Sequence, residues 1–467
     1  MGGNEVLYVC INSTSITRTT VSTMQGFGPI GDNYAFCCSG RLGPCLLEIP
    51  VLPKVDAPPG GKSTVVASVM TSVERRASFS LATIFALRML GLFLILPVFA
   101  IEAAKYPGGD DPALIGLAMG IYGLTQALLQ FPFGLASDRL GRKRVMVFGL
   151  IVFAAGSFVA ALAPNLTWLA IGRAVQGAGA ISAAVTALLA DQTRDEVRTK
   201  SMALVGASIG LMFALSLVAA PLLVAHTGLS GLFVMTGGLA LLGVAVVIWW
   251  VPPEPRQHKD LPRGSLLEVL RLPALLRLNF GVFVLHAVQL AMWMAVPALL
   301  VQAGLPREQH WWVYLPAVLA SFFVMGATLF PLEKRGYLRA VFLTAVSLTA
   351  LVQVGFWLVA SSTPSVGALA GLLFVFFCGF NVLEASQPSM ASRVAPAHAR
   401  GAAMGVYNTL QSLGFFAGGV MGGWLVKEVG APGLFAVCAG AMLVWLLVAW
   451  PMRAPVTNAP MLAPKAG

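Results

Sequence analysis

Long apolar runs, separated by short polar segments, recur from residue 78 to residue 451. Each run is long enough to cross a hydrocarbon core of about 30 Å. Because backbone groups in lipid must bond within the chain, such runs are predicted to be helices. We number them spans 1 to 12 in chain order: 78–101, 113–136, 144–163, 166–190, 200–225, 230–251, 277–301, 311–333, 337–360, 365–391, 401–426 and 432–451.

The longest internal polar stretch, residues 252–276, follows span 6 and divides the spans into two groups of six. A weak repeat supports this division, since "FPFGLASDRLGR" after span 2 has a degenerate copy, "FPLEKRGYLR", after span 8. Paired halves of this kind are typical of transporters built from repeats. We therefore predict a six-helix half over 77–251, a cytoplasmic linker over 252–276, a second half over 277–453 and a short cytoplasmic tail over 454–467.

Residues 1–69 differ from the rest of the chain, because they are rich in Gly, Pro, Ser and Thr and hold no long apolar run. A start at Met70 would give an ordinary short segment before span 1. The predicted state of residues 1–69 is a disordered extension or a wrongly assigned start.

Composition agrees with a membrane protein. Hydrophobic residues make up 57% of the chain and charged residues 10%, against about 25% charged in soluble domains. The net charge of +11 does not indicate nucleic-acid binding, since Lys and Arg punctuate the apolar runs instead of forming one basic face. With Arg139 on the inside, most of the basic residues beyond residue 69 fall on the same side, and Lys105, Arg307 and Lys427 fall outside.

This bias predicts a multi-pass membrane protein with both termini in the cytoplasm. We expect a lipid-embedded monomer whose partners are protons and a small-molecule substrate, without nucleic acid, cofactor or metal.

Three segments resemble signatures of the major facilitator superfamily. "GLASDRLGRKR" (134–144) between spans 2 and 3 resembles motif A, and "GRAVQGAGAISAA" (172–184) on span 4 resembles motif B. Span 5 is similar to motif C of the antiporter branch, but Ala219-Ala220-Pro221 stands where a Gly-Pro pair is usual. Across 77–453 the chain most resembles the YajR-like branch of bacterial drug-type facilitators, which implies a protein of the bacterial inner membrane.

The resemblance implies an all-α membrane protein of twelve transmembrane helices in two six-helix halves that rock against each other. It also implies a latch in which Asp138 faces the N-terminus of span 11 near Gly401, where the helix dipole favours an anion. Arg142 would join this latch to Asp191, whereas Lys143 is interpreted as a positive-inside anchor. The expected latch residues are Gly134, Asp138, Gly141, Arg142 and Asp191.

Four ionisable side chains lie within the predicted spans: Arg88, Arg173, His286 and Glu384. Charges are costly inside a bilayer and mark functional sites by default, so all four are candidates for proton coupling. Glu384 is the first choice, since burial favours a protonated carboxyl. The alternatives are structural: packing for Arg88 and His286, and a neutral acid beside Asn381 or Gln387 for Glu384.

Uncharged polar side chains and aromatic side chains of the spans are predicted to line a cavity. Strongly anionic substrates call for several convergent basic residues, so this lining favours an apolar, weakly polar or cationic compound. The expected cavity residues are Tyr122, Gln126, Gln130, Gln176, Gln289, Trp293, Asn381, Tyr407 and Gln411.

The sequence thus predicts a proton-coupled secondary transporter that exports small drug-like compounds by alternating access. An uptake symporter or facilitator, and a membrane sensor without transport, remain as alternatives. An enzyme is not expected, because the acidic pair in "GGDDP" (108–112) has no His or second acid cluster beside it to complete a metal site.

Overall fold

A computed structural model describes residues 70–254, 266–396 and 399–452, together with two short strands near the N-terminus. The strands, Val9–Asn12 (β1) and Ser15–Arg18 (β2), pair antiparallel. They belong to a unit separate from the one that begins at Ser68. Apart from these strands, the N-terminal extension considered in the sequence analysis lies outside the described residues.

Helices dominate the described part of the main unit, as the apolar runs predict. Their bounds are Ser72–Phe93 (α1), Leu96–Ala103 (α2), Pro112–Leu140 (α3), Arg142–Ala161 (α4), Leu166–Ala178 (α5), Ser182–Asp191 (α6), Asp195–Trp249 (α7), Leu266–Arg271 (α8), Pro273–Gln302 (α9), Trp311–Lys334 (α10), Leu338–Ala360 (α11), Val366–Val394 (α12) and Arg400–Ala449 (α13); a 3₁₀ turn occupies Arg307–Gln309.

Ten helices in the described residues are long and apolar enough to cross a membrane. Two of these, in α7 and α13, run for 50 residues, about twice the length that one crossing needs. Each contains one glycine with a positive φ, Gly228 at 65° and Gly430 at 69°, where the helical backbone is interrupted. Dividing both helices at these glycines gives twelve segments, in agreement with the twelve predicted spans.

Local sequence sets where several helices begin. The Thr71 side chain accepts from the backbone N–H of Glu74, and the Glu74 carboxylate accepts from the N–H of Thr71, which closes a capping box at the start of α1. Asp111, Asn165 and Ser365 cap α3, α5 and α12 through single side-chain bonds. The predicted spans 2, 4 and 10 therefore begin close to the expected positions.

Many large apolar side chains remain on the outer faces of the helices. Leu162, Phe323 and Leu447 are 82%, 80% and 74% exposed. Faces of this kind would be an aggregation hazard in water, whereas they suit contact with lipid chains.

Two predicted segment boundaries differ from the structure. Asp138, expected in a loop, lies in the last turn of α3, which continues to Leu140 because positive-φ Gly141 is the first residue that breaks the helix. The segment expected to be a linker contains α8 and the first turns of α9.

Candidate functional site

His286, Glu384 and Gln411 meet in the second predicted half, each from a different helix. Nε2 of His286 on α9 lies 3.2 Å from Oε2 of Glu384 on α12. The amide nitrogen of Gln411 on α13 lies 2.8 Å from Nε2 of His286 and 3.3 Å from Oε1 of Glu384. The structure therefore places two of the four predicted ionisable residues in one cluster, with a predicted cavity residue between them.

The hydrogen bonds of His286 indicate which ring nitrogen carries a hydrogen. Nδ1 lies 2.8 Å from the carbonyl oxygen of Val282, which can only accept, so Nδ1 carries a hydrogen. Nε2 faces the Glu384 carboxyl, 3.2 Å away.

Exposure differs sharply within this cluster. The His286 side chain is 2% exposed and packs edge-on against Phe415, with ring centroids 4.9 Å apart. The Glu384 side chain is 40% exposed. Glu384 is therefore the accessible member of the pair, and His286 is the shielded one.

A glycine allows the third member to approach. A Cβ on Gly414 would lie 2.5 Å from the carbonyl oxygen of Phe283, so only glycine lets α13 pack this closely on α9. This contact, one turn from Gln411, holds its amide beside His286. Asn381 and Gln387, which the structural alternative placed beside Glu384, make other hydrogen bonds: Asn381 donates to Ser321 and Gln387 accepts from Tyr407.

Arg88 lies in the first predicted half and is 1% exposed. Its two terminal nitrogens donate to Ser182 at 2.8 Å, to the Tyr122 hydroxyl at 2.8 Å and to Oε1 of Gln126 at 3.0 Å. Its Nε is buried without a hydrogen-bond partner. The amide nitrogen of Gln126 also donates to Ser412 of α13, so this glutamine joins the two predicted halves.

Arg173 on α5 is also 1% exposed, and its partners are neutral as well. It donates to Gln176 at 2.5 Å and to the carbonyl oxygen of Met119 at 3.3 Å. Its guanidinium carbon lies 4.9 Å from the centroid of the Tyr122 ring. Tyr122 is thus shared, with its hydroxyl on Arg88 and its ring face under Arg173.

The other predicted cavity residues are dispersed. Gln289 and Trp293 line a narrow cavity of about 10 Å³ with apolar and aromatic neighbours on α9 and α12. Gln176 donates to Ser157 in the core of the first half, and Oε1 of Gln130 is buried without a partner. The structure therefore gathers Tyr122 and Gln126 around Arg88 and Gln411 around Glu384, but does not gather all nine residues in one pocket.

The segment that resembles motif A forms a compact charge cluster. Arg142 lies 2.5 Å from Asp138 and 3.3 Å from Asp191, and it also donates to Ser137. The expected contact between Arg142 and Asp191 is therefore present, while its action as a latch remains a prediction. Gly134 and Gly141 lie on either side of Asp138 in the chain, and Gly141 takes a φ of 101° that favours glycine.

Glu254, which the sequence analysis did not single out, completes this cluster. Its carboxylate accepts from the backbone N–H of Arg142 at 3.1 Å and of Lys143 at 2.6 Å, the first two residues of α4. Nζ of Lys143 donates to the carbonyl oxygen of Val251. The signal in the sequence was an isolated acid in "VPPEP", just where span 6 ends.

The two predicted halves touch closely at one end of the bundle, which we call the outer end and which carries the loop 104–111. A Cβ on Gly116 would lie 2.2 Å from the carbonyl oxygen of Gly419, and a Cβ on Gly120 would lie 2.7 Å from that of Phe416. Glycines therefore allow α3 and α13 to pack backbone against backbone.

Two ion pairs join the halves at this outer end. Lys427 lies 3.3 Å from Asp111, and Arg307 contacts Glu102, which Lys105 also contacts. At the opposite end of α13, a Cβ on Gly401 or Gly405 would meet no atom within 4 Å. The structure thus has its outer end closed, with free space beside the first turns of α13.

Comparisons with known proteins agree with this architecture. The profile of the Major Facilitator Superfamily matches residues 81–419 and, in a second match, 333–466. The chain is 43% identical over 392 residues to the inner membrane transport protein YajR of Escherichia coli (strain K12), covering 83% of this chain and 85% of that protein. It is 25% identical over 354 residues to the multidrug resistance protein MdtH of Yersinia enterocolitica, covering 72% and 83%.

Solved structures share the fold at low sequence identity. A peptide transporter of the POT family, crystallised in an auto-inhibited form, superposes with a TM-score of 0.65 at 13% identity, covering 82% of this chain and 99% of that one. A bacterial homologue of the lysosomal transporter Spinster, in an inward-facing occupied form, gives a TM-score of 0.63 at 15% identity, covering 82% and 96%.

Proposed function

The chain belongs to the major facilitator superfamily, and we propose that this secondary transporter couples the movement of small, largely apolar organic compounds to protons. The direction we propose is export by alternating access. The membership indicates a multi-pass membrane transporter and not an enzyme. The coupling ion, the direction and the substrate class are the proposed part.

The observation that carries the proposal is the contact of His286 with Glu384. A buried imidazole and a half-exposed carboxyl, 3.2 Å apart, are placed to share one proton. When the proton is present, the Gln411 side chain can turn its amide oxygen toward Nε2–H of His286. When the proton leaves, the amide nitrogen can donate to both partners, which lie 2.8 Å and 3.3 Å from it.

The position of Gln411 on α13 links this proposed proton site to the movement of the halves. Gln411 and Ser412 are neighbours on α13, and Ser412 accepts from Gln126 of the opposite half. A change in the hydrogen bonds of Gln411 therefore occurs one residue away from an inter-half contact. Arg88 and Arg173 remain predictions as coupling residues, and the proton site is assigned to the second half, since a guanidinium does not release its proton.

The apolar part of the proposed substrate class is supported by the aromatic side chains that pack between the halves. Phe213 on α7 contacts Phe93 on α1, with ring centroids 5.1 Å apart, and Phe377 on α12, at 5.9 Å. Trp293 and Phe376 line the small cavity beside them. Aromatic faces of this kind bind flat apolar groups without needing a charge.

Transport in inverted membrane vesicles tests the proposal. A panel of fluorescent neutral, anionic and cationic dyes would be offered with and without an imposed pH gradient, acid inside. Export coupled to protons predicts that the dye accumulates in these vesicles only with the gradient, and that its addition releases protons from the lumen. Accumulation that ignores the gradient would contradict proton coupling.

Uptake on the same fold is the second candidate, and one feature favours it. Ala219-Ala220-Pro221 on α7 departs from the Gly-Pro pair of the antiporter signature that span 5 resembles. For a proton symporter, right-side-out vesicles that are acidic outside would accumulate the dye, and inverted vesicles that are acidic inside would not.

A further inference from the structure

Arg88 and Arg173 are two buried cations that lack an anion. Neither guanidinium has a carboxylate within 4 Å among the described residues, and the Nε of each is buried without a partner. Shielded carboxylates in the described region are paired, such as Glu102 with Arg307 and Glu74 with Arg194. An unpaired charge in a low-dielectric interior is costly, so its retention needs a reason.

We propose that Arg88 binds an anionic group of the transported compound, a carboxylate or a sulfonate. This inference rests on the proposed transport function and names the charge of its substrate, which the sequence-based expectation of an apolar, weakly polar or cationic compound does not include. Arg173 acts from behind Tyr122 as a second positive charge that strengthens the local preference for anions.

Gln126 marks where the anion would be held. Its Oε1 accepts from Arg88 at 3.0 Å, in the position that a carboxylate oxygen would take in a charge-assisted bond. Unlike Arg88, Gln126 is only partly buried, so it lies between the guanidinium and the space between the halves. The anion would displace the amide oxygen of Gln126 and keep the hydroxyls of Tyr122 and Ser182 as neighbours.

This exchange connects binding to the conformation of the protein. The same Gln126 side chain donates to Ser412 of the opposite half at 3.1 Å. An anion that displaces Gln126 from Arg88 also removes the support of this inter-half hydrogen bond. Cations would be repelled from the same place by two guanidinium groups that share Tyr122.

The test uses three probes of nearly equal shape: naphthoate, naphthamide and naphthylmethylammonium. Each is titrated into the purified full-length protein in detergent, and the Kd is taken from the rise in melting temperature. For the wild type we expect naphthoate to bind at least about tenfold more tightly than naphthamide, as one hydrogen bond to a charged group implies, and the cation to bind least.

Two variants and one control locate the effect. Arg88→Gln removes the cation, and Gln126→Glu supplies a protein carboxylate of the same shape; both should abolish the preference for naphthoate, and the second should raise the melting temperature of the free protein. Arg75→Gln, at an exposed arginine near the start of α1, should keep the preference. If Arg88→Gln does not fold, Gln126→Glu decides the result.

The proposal is overturned if the wild type shows no preference for naphthoate over naphthamide, whether both bind or neither does. It is also overturned if the preference survives in Gln126→Glu. Failure of proton coupling would leave these binding results unchanged and would show only in the vesicle assay, so the two proposals fail separately.

Discussion

Nε2 of His286 lies 3.2 Å from Oε2 of Glu384, so an imidazole on α9 and a carboxyl on α12 share a space that suits one proton. His286 is shielded by aromatic rings, whereas Glu384 is open to the space between the helices. In the proposed coupling, protonation at this pair changes the acceptors that Gln411 of α13 can reach, on a helix that also contacts the opposite half.

Glu384→Gln keeps the size of the side chain but removes its proton. We expect this variant to fold and to exchange substrate across the membrane without net proton movement, while transport driven by a pH gradient falls to the level seen without a gradient. A pH-sensitive dye trapped in proteoliposomes measures the proton flux. Glu428→Gln, at an exposed acid on the outer part of α13, is the matched control and should behave as wild type. A gradient response of normal size in Glu384→Gln would contradict the assignment.

The charge cluster around Arg142 is expected to act as a latch when the inner end closes. Asp138→Asn and Arg142→Ala should each reduce transport while leaving the amount of folded protein nearly unchanged. The double variant Arg142→Ala/Asp191→Ala should lose less transport activity than the two single variants together, because mutational effects at contacting residues are not additive. Initial transport rates normalised to purified protein provide the measurement.

Lys143→Ala tests whether the segment acts as a latch or only as a positive-inside anchor. The side chain of Lys143 contacts the Val251 carbonyl and not the Arg142 network, so its loss should reduce transport much less than loss of Asp138. If substitutions at Asp138, Arg142, Lys143 and Asp191 all reduce the transport rate equally and only slightly, the segment is a positive-inside anchor and not a latch.

The glycine contact between α3 and α13 predicts a conformational effect of a single methyl group. Gly116→Ala would place Cβ 2.2 Å from the Gly419 carbonyl oxygen, so the helices must separate at the outer end. We expect the substitution to destabilise the outer-closed state by about 1–3 kcal/mol relative to outward-open states. Alkylation of a cysteine introduced at Ser412 should become faster from the outside.

Gly371→Ala on α12 is the control for this substitution, because a Cβ there meets nothing within 4 Å. An unchanged alkylation rate in Gly116→Ala, with normal folding, would mean that α3 and α13 accommodate the methyl group without opening.

The outer ion pairs should respond to mutation and hardly at all to mild acid. The pKa of Asp111 is lowered, first by the hydrogen bond from the Ala113 N–H and further by Lys427. A lowered pKa means that the stabilisation is present above the ordinary value and is lost only as the pH falls through the lowered one. Acidification from pH 7 to about 5 should therefore leave this pair intact.

Arg307→Gln should open the outer end more readily than Lys427→Gln. Arg307→Gln removes a close partner from the Glu102 carboxylate, which is only 7% exposed. Asp111 and Lys427 are 41% and 47% exposed, so their ion pair contributes little stability. The distribution of distances between spin labels on the outer loops, recorded at pH 7 and 5, checks both statements. A larger shift for Lys427→Gln, or a strong shift of the wild type at pH 5, would contradict them.

Hydrophobic runs in the sequence were sufficient to predict the twelve helical segments, because length and apolarity alone decide which segments suit a bilayer. The same reasoning found Arg88, Arg173, His286 and Glu384, since a charge in an apolar run stands out in one dimension. The segment 134–144 was found through its resemblance to motif A, although its exact helix end at Leu140 depended on the positive φ of Gly141.

Partners across helices were decided by the tertiary structure. The sequence suggested Asn381 and Gln387 beside Glu384 because they are neighbours in the chain, whereas packing of α9, α12 and α13 brings His286 and Gln411 there instead. The sequence analysis also missed the contact of the Glu254 carboxylate with the first backbone N–H of α4, and the glycine contact of α3 with α13. Hydropathy fixes which segments enter the membrane, but side-chain partners depend on the rotation and crossing of each helix, and these follow from close packing between helices far apart in the chain.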